Sequence, residues 1–297
     1  MLLRSTRSED KFYIDWWLMN HCSWHCSYCH DILRAGNIAL PYIKDCRRFV
    51  DQAQAHAQQL NKTAQIKFTG GEVTEWADFD ELLRYAHNQG CETQFRTNAN
   101  ISRARWLGLM QHTDLVSMGY HPGHTQTSQF LLAIANARKL DVTVRVEVNM
   151  LPEVFDELEA LIATINRRWP EVTVNKAMRF QDPVSNTKPL EYTPIQQLKL
   201  MRQHGDLEWV TDSGSEFTDY QTLVLEGRNE FKGWHCSAGV EQCVVDASGR
   251  VYRAHCRTNG FMGYLSDDEL VWSSEPMVCA NDRCVNSFDI QATKSLS

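Results

Sequence analysis

The chain has 297 residues, 43 % of them hydrophobic and nine of them tryptophan, which is enough for one large domain or one domain with a small appendage. Its formal net charge of −7 gives no electrostatic reason to expect tight nucleic-acid binding. Because no stretch has the roughly 18 apolar residues of a membrane helix and the start, MLLRSTRSED, lacks a signal-peptide core, we expect a cytoplasmic protein without a membrane partner.

Ten cysteines in a chain expected to occupy a reducing compartment indicate metal sites and not a disulfide framework. Cys46 and Cys91 lie in segments of helical or extended character, so we expect them to be inert core thiols. The others form two groups, one of Cys22, Cys26 and Cys29 and one of Cys236, Cys243, Cys256, Cys279 and Cys284.

The first predicted strand runs from Phe12 to Met19 and leads into the loop with the first cysteine group. Three thiols separated by three and then two residues can converge on one metal centre. Tetrahedral zinc usually takes four protein ligands, so a zinc site would need His21, His25 or His30 as the fourth. The alternative is a [4Fe–4S] cluster with one iron that has no protein ligand, since such clusters are normally held by four thiolates.

Helical and extended segments alternate after this loop. Helices are predicted at 41–59, 78–87, 103–110, 127–140, 155–167 and 194–204, and further strands at 65–69, 92–97, 115–120, 142–150 and 172–178. Six strands separated by helices predict a parallel sheet with right-handed crossovers, and an open doubly wound sheet and a barrel both fit this α/β pattern. In both, reactive groups gather at the C-terminal ends of the strands, where the cysteine loop lies.

Polar side chains recur on one face of the predicted strands, because side chains alternate with period two. Lys67, Arg96, Arg145 and Glu147 fall on this polar face, which should point inward while the apolar face meets the helices. Charged side chains on this inward face are costly to bury unless they are paired or bind a ligand. An internal ion-pair network is one interpretation. We favour a polar pocket for substrate and cofactor, because perturbed charges at strand ends concentrate at functional sites.

His121 follows the fourth strand and shares a face with Ser117. A histidine near the reactive face can act as a general acid or base, so we take His121, Arg145 and Glu147 as candidate catalytic residues. A loop histidine without a role is the alternative.

The C-terminal part of the chain has a different pattern. The regular alternation of strands and helices is lost over 206–232, and we predict this segment to be a linker with some helix. Residues 244–252 read as a β-hairpin with its turn at 247–249. Cys236 precedes this hairpin and Cys256 follows it. The later pair of cysteines, at 279 and 284, completes a set that could also make a structural zinc ribbon.

The cysteine loop resembles the signature of the radical S-adenosylmethionine (radical SAM) superfamily, C-x3-C-x2-C with an aromatic residue, here Tyr28, before the third cysteine. Gly70-Gly71-Glu72 at the end of the second strand strengthens the resemblance. It implies a partial (β/α)6 TIM-type barrel over residues 8–205, with Cys22, Cys26 and Cys29 as ligands of a [4Fe–4S] cluster. The open iron would bind S-adenosyl-L-methionine, and the reduced cluster would cleave it to a 5′-deoxyadenosyl radical.

The resemblance also implies cofactor contacts by position. Gly70, Gly71 and Glu72 would bind the amino group of S-adenosylmethionine, and Tyr28 would contact the adenine region. Thr97-Asn98 resembles the family's Thr-Asn-Gly segment, with Ala99 in place of glycine. Cofactor contacts are also frequent at the positions of Ser117, Asn149 and Met178. For these residues, strand-end capping and core packing are the alternative interpretation.

The C-terminal cysteines resemble the twitch or SPASM extensions of this superfamily. The resemblance implies a small cysteine-rich α+β domain over 233–290 that carries an auxiliary [4Fe–4S] cluster, with Cys243 as the spare thiol. The expected ligands are Cys236, Cys256, Cys279 and Cys284. The match is imperfect, since four residues separate the late pair where the SPASM pattern has two.

The expected reaction is a rearrangement or an oxidation, with a flavodoxin or ferredoxin-type protein as electron donor. About 11 residues precede the first predicted strand, which we take as no room for a fused leader-peptide-binding domain. This favours a small molecule, nucleotide or modified base as substrate over a ribosomally made peptide, and a peptide maturase is the alternative. A non-enzymatic iron–sulfur or zinc-binding protein is the competing class.

Overall fold

A computed structural model describes residues 1–181, 188–201, 205–258 and 260–296. Its strands are β1 (Leu2–Ser5), β2 (Lys11–Met19), β3 (Thr63–Gly70), β4 (Glu92–Thr97), β5 (Leu115–Tyr120), β6 (Thr143–Met150), β7 (Thr173–Met178), β8 (Leu207–Thr211), β9 (Gly214–Thr218), β10 (His235–Cys236), β11 (Gln242–Val245), β12 (Arg250–Tyr252), β13 (Phe261–Tyr264), β14 (Met277–Val278) and β15 (Lys294–Ser295). Its α-helices are α1 (Ile43–Gln59), α2 (Phe79–Asn88), α3 (Arg103–Met110), α4 (Thr127–Arg138), α5 (Phe155–Arg168), α6 (Pro194–Leu200) and α7 (Tyr220–Leu225). In the ranges given above, no helix is both long and apolar enough to cross a membrane.

Six parallel strands in chain order, β2 to β7, form the larger part of a nine-stranded sheet, with β7 at one edge. The predicted α/β class and all six predicted strands are confirmed. The predicted helix at 194–204 corresponds to α6, which ends at Leu200, and residues 202–204 lie outside the described residues.

The apolar face of the sheet packs against the helices, as the period-two pattern requires. Trp16 of β2 is fully buried, and its ring lies 4.9 Å from that of Phe49 in α1. Phe79 of α2 packs between Phe68 of β3 and Phe95 of β4. The opposite face of the strands carries the polar side chains and encloses the site described below.

The C-terminal hairpin extends this sheet instead of forming a sheet of its own. Strand β11 pairs in parallel with β2, placing Cys243 opposite Ile14, and β12 and β13 continue antiparallel beyond it. The predicted hairpin is therefore present as β11 and β12. The segment assigned to a separate cluster domain, 233–290, shares a sheet and a hydrophobic core with the barrel strands.

A second sheet, in the order β14-β10-β15-β1-β8-β9, is antiparallel throughout. The segment 206–232, predicted to be a linker with some helix, contains the helix α7 and also the strands β8 and β9, which were not predicted and which contribute to the sheet and its core. Strand β1 was not predicted, and it lies between β15 and β8. The small core beneath this sheet consists of Leu3, Leu207, Leu223, Phe231, Trp234 and Ile290.

Leu3→Ala tests whether β1 is an integral strand of this second sheet. Leu3 is fully buried, so the substitution should lower the free energy of unfolding by about 2–5 kcal/mol. Leu132→Ala is the matched control, since that side chain is 59 % exposed and its loss should change stability by less than about 0.5 kcal/mol. Denaturant titration of both variants provides the comparison, and equal small losses would show that β1 is not packed as described.

Candidate cofactor and substrate cavity

The inward faces of β2 to β7 and the cysteine loop line a cavity of about 1250 Å³. All three thiols of the loop reach this cavity, as do the three candidate catalytic residues His121, Arg145 and Glu147. His255 and Cys256 from the C-terminal region also line it. Residues from both cysteine groups therefore share one cavity.

The loop after β2 presents Cys22, Cys26 and Cys29 as free thiols. Its shape is fixed by Cys29, whose N–H donates to the Cys26 carbonyl at 3.0 Å, and by Arg34. The Nη1 of Arg34 donates to the carbonyls of His25 and Cys26, both at 2.7 Å. Burial raises the pKa of Cys22 to about 11, so the bare thiol is protonated at neutral pH.

The histidines of the loop have partners that compete with zinc binding. His21 Nε2 lies 3.1 Å from a carboxylate oxygen of Glu75, and His30 Nδ1 accepts a hydrogen bond from the Ile32 N–H at 2.7 Å. Within the described ranges, no three His, Cys, Asp or Glu side chains form a compact site for one metal ion. A [4Fe–4S] cube differs from a single ion in attaching each thiolate to a separate iron, so its ligands need not converge on one point.

Gly70 and Gly71 allow the end of β3 to lie directly against the cysteine loop. The Gly71 N–H donates to the Met19 carbonyl at 2.8 Å, and the Glu72 N–H donates to the His21 carbonyl at 2.7 Å. A Cβ on Gly71 would lie 1.9 Å from the His21 oxygen, and Gly70 has a φ of +119° that favours glycine. Besides the expected cofactor contact, which stays a prediction, the glycines admit the backbone of the loop, and both of them line the cavity.

The Glu72 carboxylate is buried and joins the ends of β3 and β4. Its Oε1 accepts hydrogen bonds from the side chains of Thr74 at 2.7 Å and Thr97 at 2.8 Å, and its Oε2 accepts one from the Asn98 N–H at 2.6 Å. Burial raises the pKa of Glu72, while these hydrogen bonds oppose the rise. Because Oε2 receives a single donor and Glu72 lines the cavity, this oxygen retains capacity to accept from a ligand.

A stacked group of side chains lies beside the loop. The Tyr28 hydroxyl is 3.2 Å from His121 Nδ1, and the same nitrogen is 3.6 Å from Cys26 Sγ. Burial, followed by the charges of nearby arginines, lowers the pKa of His121 to about 3, so the imidazole is neutral. Arg179 donates to the Tyr28 carbonyl at 2.8 Å and to Asn149 Oδ1 at 3.3 Å.

Arg179 was not predicted as a site residue. Its position, directly after the sixth predicted strand, was the signal that could have found it. Its Nε is buried and has no hydrogen-bond partner in the described part of the chain. Met178, the last residue of β7, is buried and lines the cavity, with its N–H donating to Gln221.

Two ion pairs cross the interior of the strands. Arg96 Nη2 lies 2.6 Å from a Glu147 oxygen, and Ser117 Oγ donates to the other Glu147 oxygen at 3.1 Å. The second pair joins Lys67 to Asp15 at 3.6 Å. Of the predicted network, Arg96 and Glu147 pair with each other, whereas Lys67 pairs with Asp15 and Arg145 is in neither pair. These pairs line the cavity, and its use as a pocket for substrate and cofactor stays a prediction.

Asp15 and His255 were not predicted as site residues. His255 Nε2 lies 2.7 Å from Asp15 Oδ2 and connects the C-terminal region to β2. Burial raises the pKa of Asp15, but Lys67 and the His255 hydrogen bond outweigh it and lower this pKa to about 2. The signal that could have found Asp15 was a lone carboxylate within the apolar run FYIDWW.

Comparison with solved structures adds to this geometry. No protein-family model and no curated protein matches the sequence. The structure of anSMEcpe with bound AdoMet aligns with a TM-score of 0.58 and 14 % identity, over 86 % of this chain and 78 % of that one. The complex of anSMEcpe with AdoMet and the Cp18Cys peptide aligns with a TM-score of 0.59 and 13 % identity over the same shares. This chain has the radical SAM fold.

Within this radical SAM fold, the structure gathers four of the five C-terminal cysteines and separates the fifth. Cys236 lies within the range of electrostatic influence on the pKa values of Cys256, Cys279 and Cys284, so these four thiols share one region of the structure. Burial raises the pKa of Cys284 to about 12. Cys243 instead faces the helix side of the barrel sheet, where burial raises its pKa. The four gathered thiols are those expected as auxiliary ligands, and that assignment stays a prediction.

Asp289 and Lys294 hold the segment that carries Cys256. The Asp289 carboxylate accepts hydrogen bonds from the N–H groups of His255 and Cys256, both at 2.9 Å. Lys294 is 1 % exposed, and its Nζ donates to the carbonyls of Asp289 at 2.7 Å and Ala292 at 2.9 Å. The position of Cys256 therefore depends on two buried charges that the sequence did not single out.

Gly71→Ala tests the close approach of β3 to the cysteine loop. The added Cβ meets a backbone oxygen that cannot rotate away, so we expect a loss of about 1–3 kcal/mol in the free energy of unfolding. Gly108→Ala is the matched control, because Gly108 lies in α3 with open space around it and should gain about 0.5–1 kcal/mol. Thermal and denaturant unfolding measure both, and a neutral Gly71→Ala would contradict the described contact.

Proposed function

We propose that this protein is a radical SAM enzyme in which Cys22, Cys26 and Cys29 hold a [4Fe–4S] cluster that binds S-adenosyl-L-methionine. When bound, the cluster and S-adenosylmethionine supply a 5′-deoxyadenosyl radical that abstracts hydrogen from the substrate. The observation that carries the proposal is the placement of three free thiols beside the Gly-Gly-Glu turn, at one cavity of a radical SAM fold.

Side chains around the loop offer complementary groups for a zwitterionic cofactor. Glu72 Oε2 can accept a charge-assisted hydrogen bond from an ammonium group. Arg179 has a buried Nε without a partner among the described residues, which suits a carboxylate. Tyr28 and Met178 provide the apolar surface for an adenine ring, and Asn149 is positioned by its contacts with Tyr120 and Arg179.

The substrate we propose is a small molecule, nucleotide or modified base that undergoes rearrangement or oxidation. A deep interior crossed by the Arg96–Glu147 and Lys67–Asp15 pairs suits a small polar substrate. Maturation of a peptide is the second candidate, because anSMEcpe, which has the same fold, has been solved with the Cp18Cys peptide. Both candidates use the same radical chemistry.

For the C-terminal region we propose an auxiliary [4Fe–4S] cluster on Cys236, Cys256, Cys279 and Cys284. Four protein ligands would leave no open iron, which favours electron transfer over substrate binding. A flavodoxin or ferredoxin-type protein is the proposed electron donor.

Triple substitution of Cys22, Cys26 and Cys29 by alanine tests the proposed activity. Anaerobically reconstituted wild-type protein should hold about eight irons if both cubes form, and the triple variant about four. With dithionite and S-adenosylmethionine, the wild type should release 5′-deoxyadenosine and the variant none, as measured by chromatography. Cys46→Ala is the control, since that buried thiol lies on α1 away from the loop.

Two outcomes would reject parts of this proposal. Cleavage that survives the triple substitution would refute the ligand assignment. A wild-type protein that holds a full complement of iron but never yields 5′-deoxyadenosine would instead support the competing class, a non-enzymatic iron–sulfur protein.

Cys279→Ala and Cys243→Ala test which of the two cysteines is a ligand of the auxiliary cluster and which is the spare thiol. Loss of Cys279 should remove about four irons or convert the cube to a smaller cluster, visible in the electron paramagnetic resonance spectrum. Cys243→Ala should retain the iron content and lower stability only, because its side chain packs in the barrel core. The opposite pattern of iron loss would reverse the assignment of these two residues.

A further inference from the structure

One arginine of the cavity differs from every other cationic side chain that lines it. Nine lysine and arginine residues of the described chain line the cavity. Eight of them have an ion-pair or hydrogen-bond partner in the protein. Arg145 has neither an ion pair nor a hydrogen bond with any residue in the described ranges, although it lies half-buried inside the barrel.

The carboxylates nearest to Arg145 do not neutralise it directly. Glu147 is engaged by Arg96 at 2.6 Å and by Ser117 at 3.1 Å. Asp206 is close enough for its charge to act on Arg145, but it lies beyond the 4.0 Å of an ion pair. A half-buried guanidinium without a protein partner in the described ranges can give all of its donors to a ligand, so an anion that reached Arg145 would meet no competing bond there.

The charge of the cavity supports an anionic ligand. The described residues lining the cavity include nine lysines and arginines against seven aspartates and glutamates. The whole chain has the opposite balance, with 30 basic and 37 acidic residues. A cavity that is cationic within an acidic protein attracts anions, and its low-dielectric walls strengthen that attraction.

The sheet register gives the depth of Arg145. Arg145 pairs with Ser117 and Thr173, and Asn149 lies four residues further along β6, at the level of Arg179 and the cysteine loop. At about 3.3 Å per residue, the two levels are roughly 13 Å apart. A ligand that touches both levels must therefore be elongated.

We propose that Arg145 binds the anionic end, a carboxylate or phosphate, of an elongated substrate whose reacting carbon lies at the level of Asn149 beside the cysteine loop. The proposal rests on the function proposed above, since it assigns the reacting end to the cofactor. The planar guanidinium suits both anions, because it can donate two parallel hydrogen bonds.

Calorimetric titration of the reconstituted protein with small anions tests the proposal. The probes are glutarate for the carboxylate, ethyl phosphate for the phosphate and glutaramide as the uncharged control. Arg145→Gln should weaken binding of the preferred anion about tenfold or more, since a hydrogen bond to a charged group contributes about 1.5–3 kcal/mol. Arg103→Gln is the matched control, because Arg103 is exposed on α3 and should leave the affinity unchanged.

Circular dichroism checks that Arg145→Gln is folded, and Arg145→Lys provides a second variant if it is not. Lysine retains the charge without the planar pair of donors, so intermediate affinity is expected. Binding by glutarate alone or by ethyl phosphate alone would identify the anion class. An absence of saturable anion binding, or equal affinity in wild type and both Arg145 variants, would overturn the proposal.

A parallel assay of 5′-deoxyadenosine distinguishes this inference from the proposed function. If the cofactor is cleaved and no anion binds through Arg145, the inference fails alone. If Arg145 binds anions and the cofactor is never cleaved, the proposed function fails and Arg145 is retained only as an anion site.

Discussion

The close contact between the end of β3 and the cysteine loop is the constraint on which the rest of the site depends. Two backbone N–H groups, of Gly71 and Glu72, hold the loop through Met19 and His21. The same turn places the Glu72 carboxylate where it gathers the end of β4. One short segment therefore sets the position of the thiols and of the nearest polar groups, and no side chain larger than hydrogen fits at Gly71.

Buried charges extend this organisation from the barrel into the C-terminal region. Lys67, Asp15 and His255 form a continuous chain of contacts, and Asp289 continues it to the backbone of Cys256. Each of these charged side chains would be costly to bury alone, and the contact with its neighbour offsets that cost. This arrangement explains how Cys256, far from the first cysteine group in sequence, comes to line the same cavity without a covalent link.

Much of the fold was predictable because it follows local periodicity. The six barrel strands lie within two residues of their predicted bounds, since alternation of apolar and polar residues is strong in each. Strand β1 escaped prediction because four residues of mixed polarity carry too little pattern. The strands β8 and β9 within 206–232 were not predicted because each has only five residues, and because β8 also pairs with β1, which is remote in sequence.

The residues of the site were predictable where their type and spacing identify their chemistry. They were less predictable where their role depends on tertiary contacts. The thiols and the Gly-Gly-Glu turn were found from the sequence, but the reason for Gly71 was not, because sequence does not reveal which carbonyl lies opposite. His255 and Lys294 were missed for the same reason, whereas Arg179 had a signal in its position directly after the sixth strand. Arg145 was predicted to face inward. That it has no partner among the described residues could be learned only from the structure, by comparison with the other lysines and arginines that line the cavity.

The pairing of β11 with β2 has a consequence for biosynthesis. Tyr13 bonds in register with Gln242, so about 230 residues must be translated before this edge of β2 can be covered. Contacts between residues so far apart in sequence form slowly, because the entropic cost of closing a long loop comes before the free energy of the contact is gained. A nascent chain would expose an apolar strand edge throughout that interval, and chaperones that shield such edges are expected to be needed during synthesis.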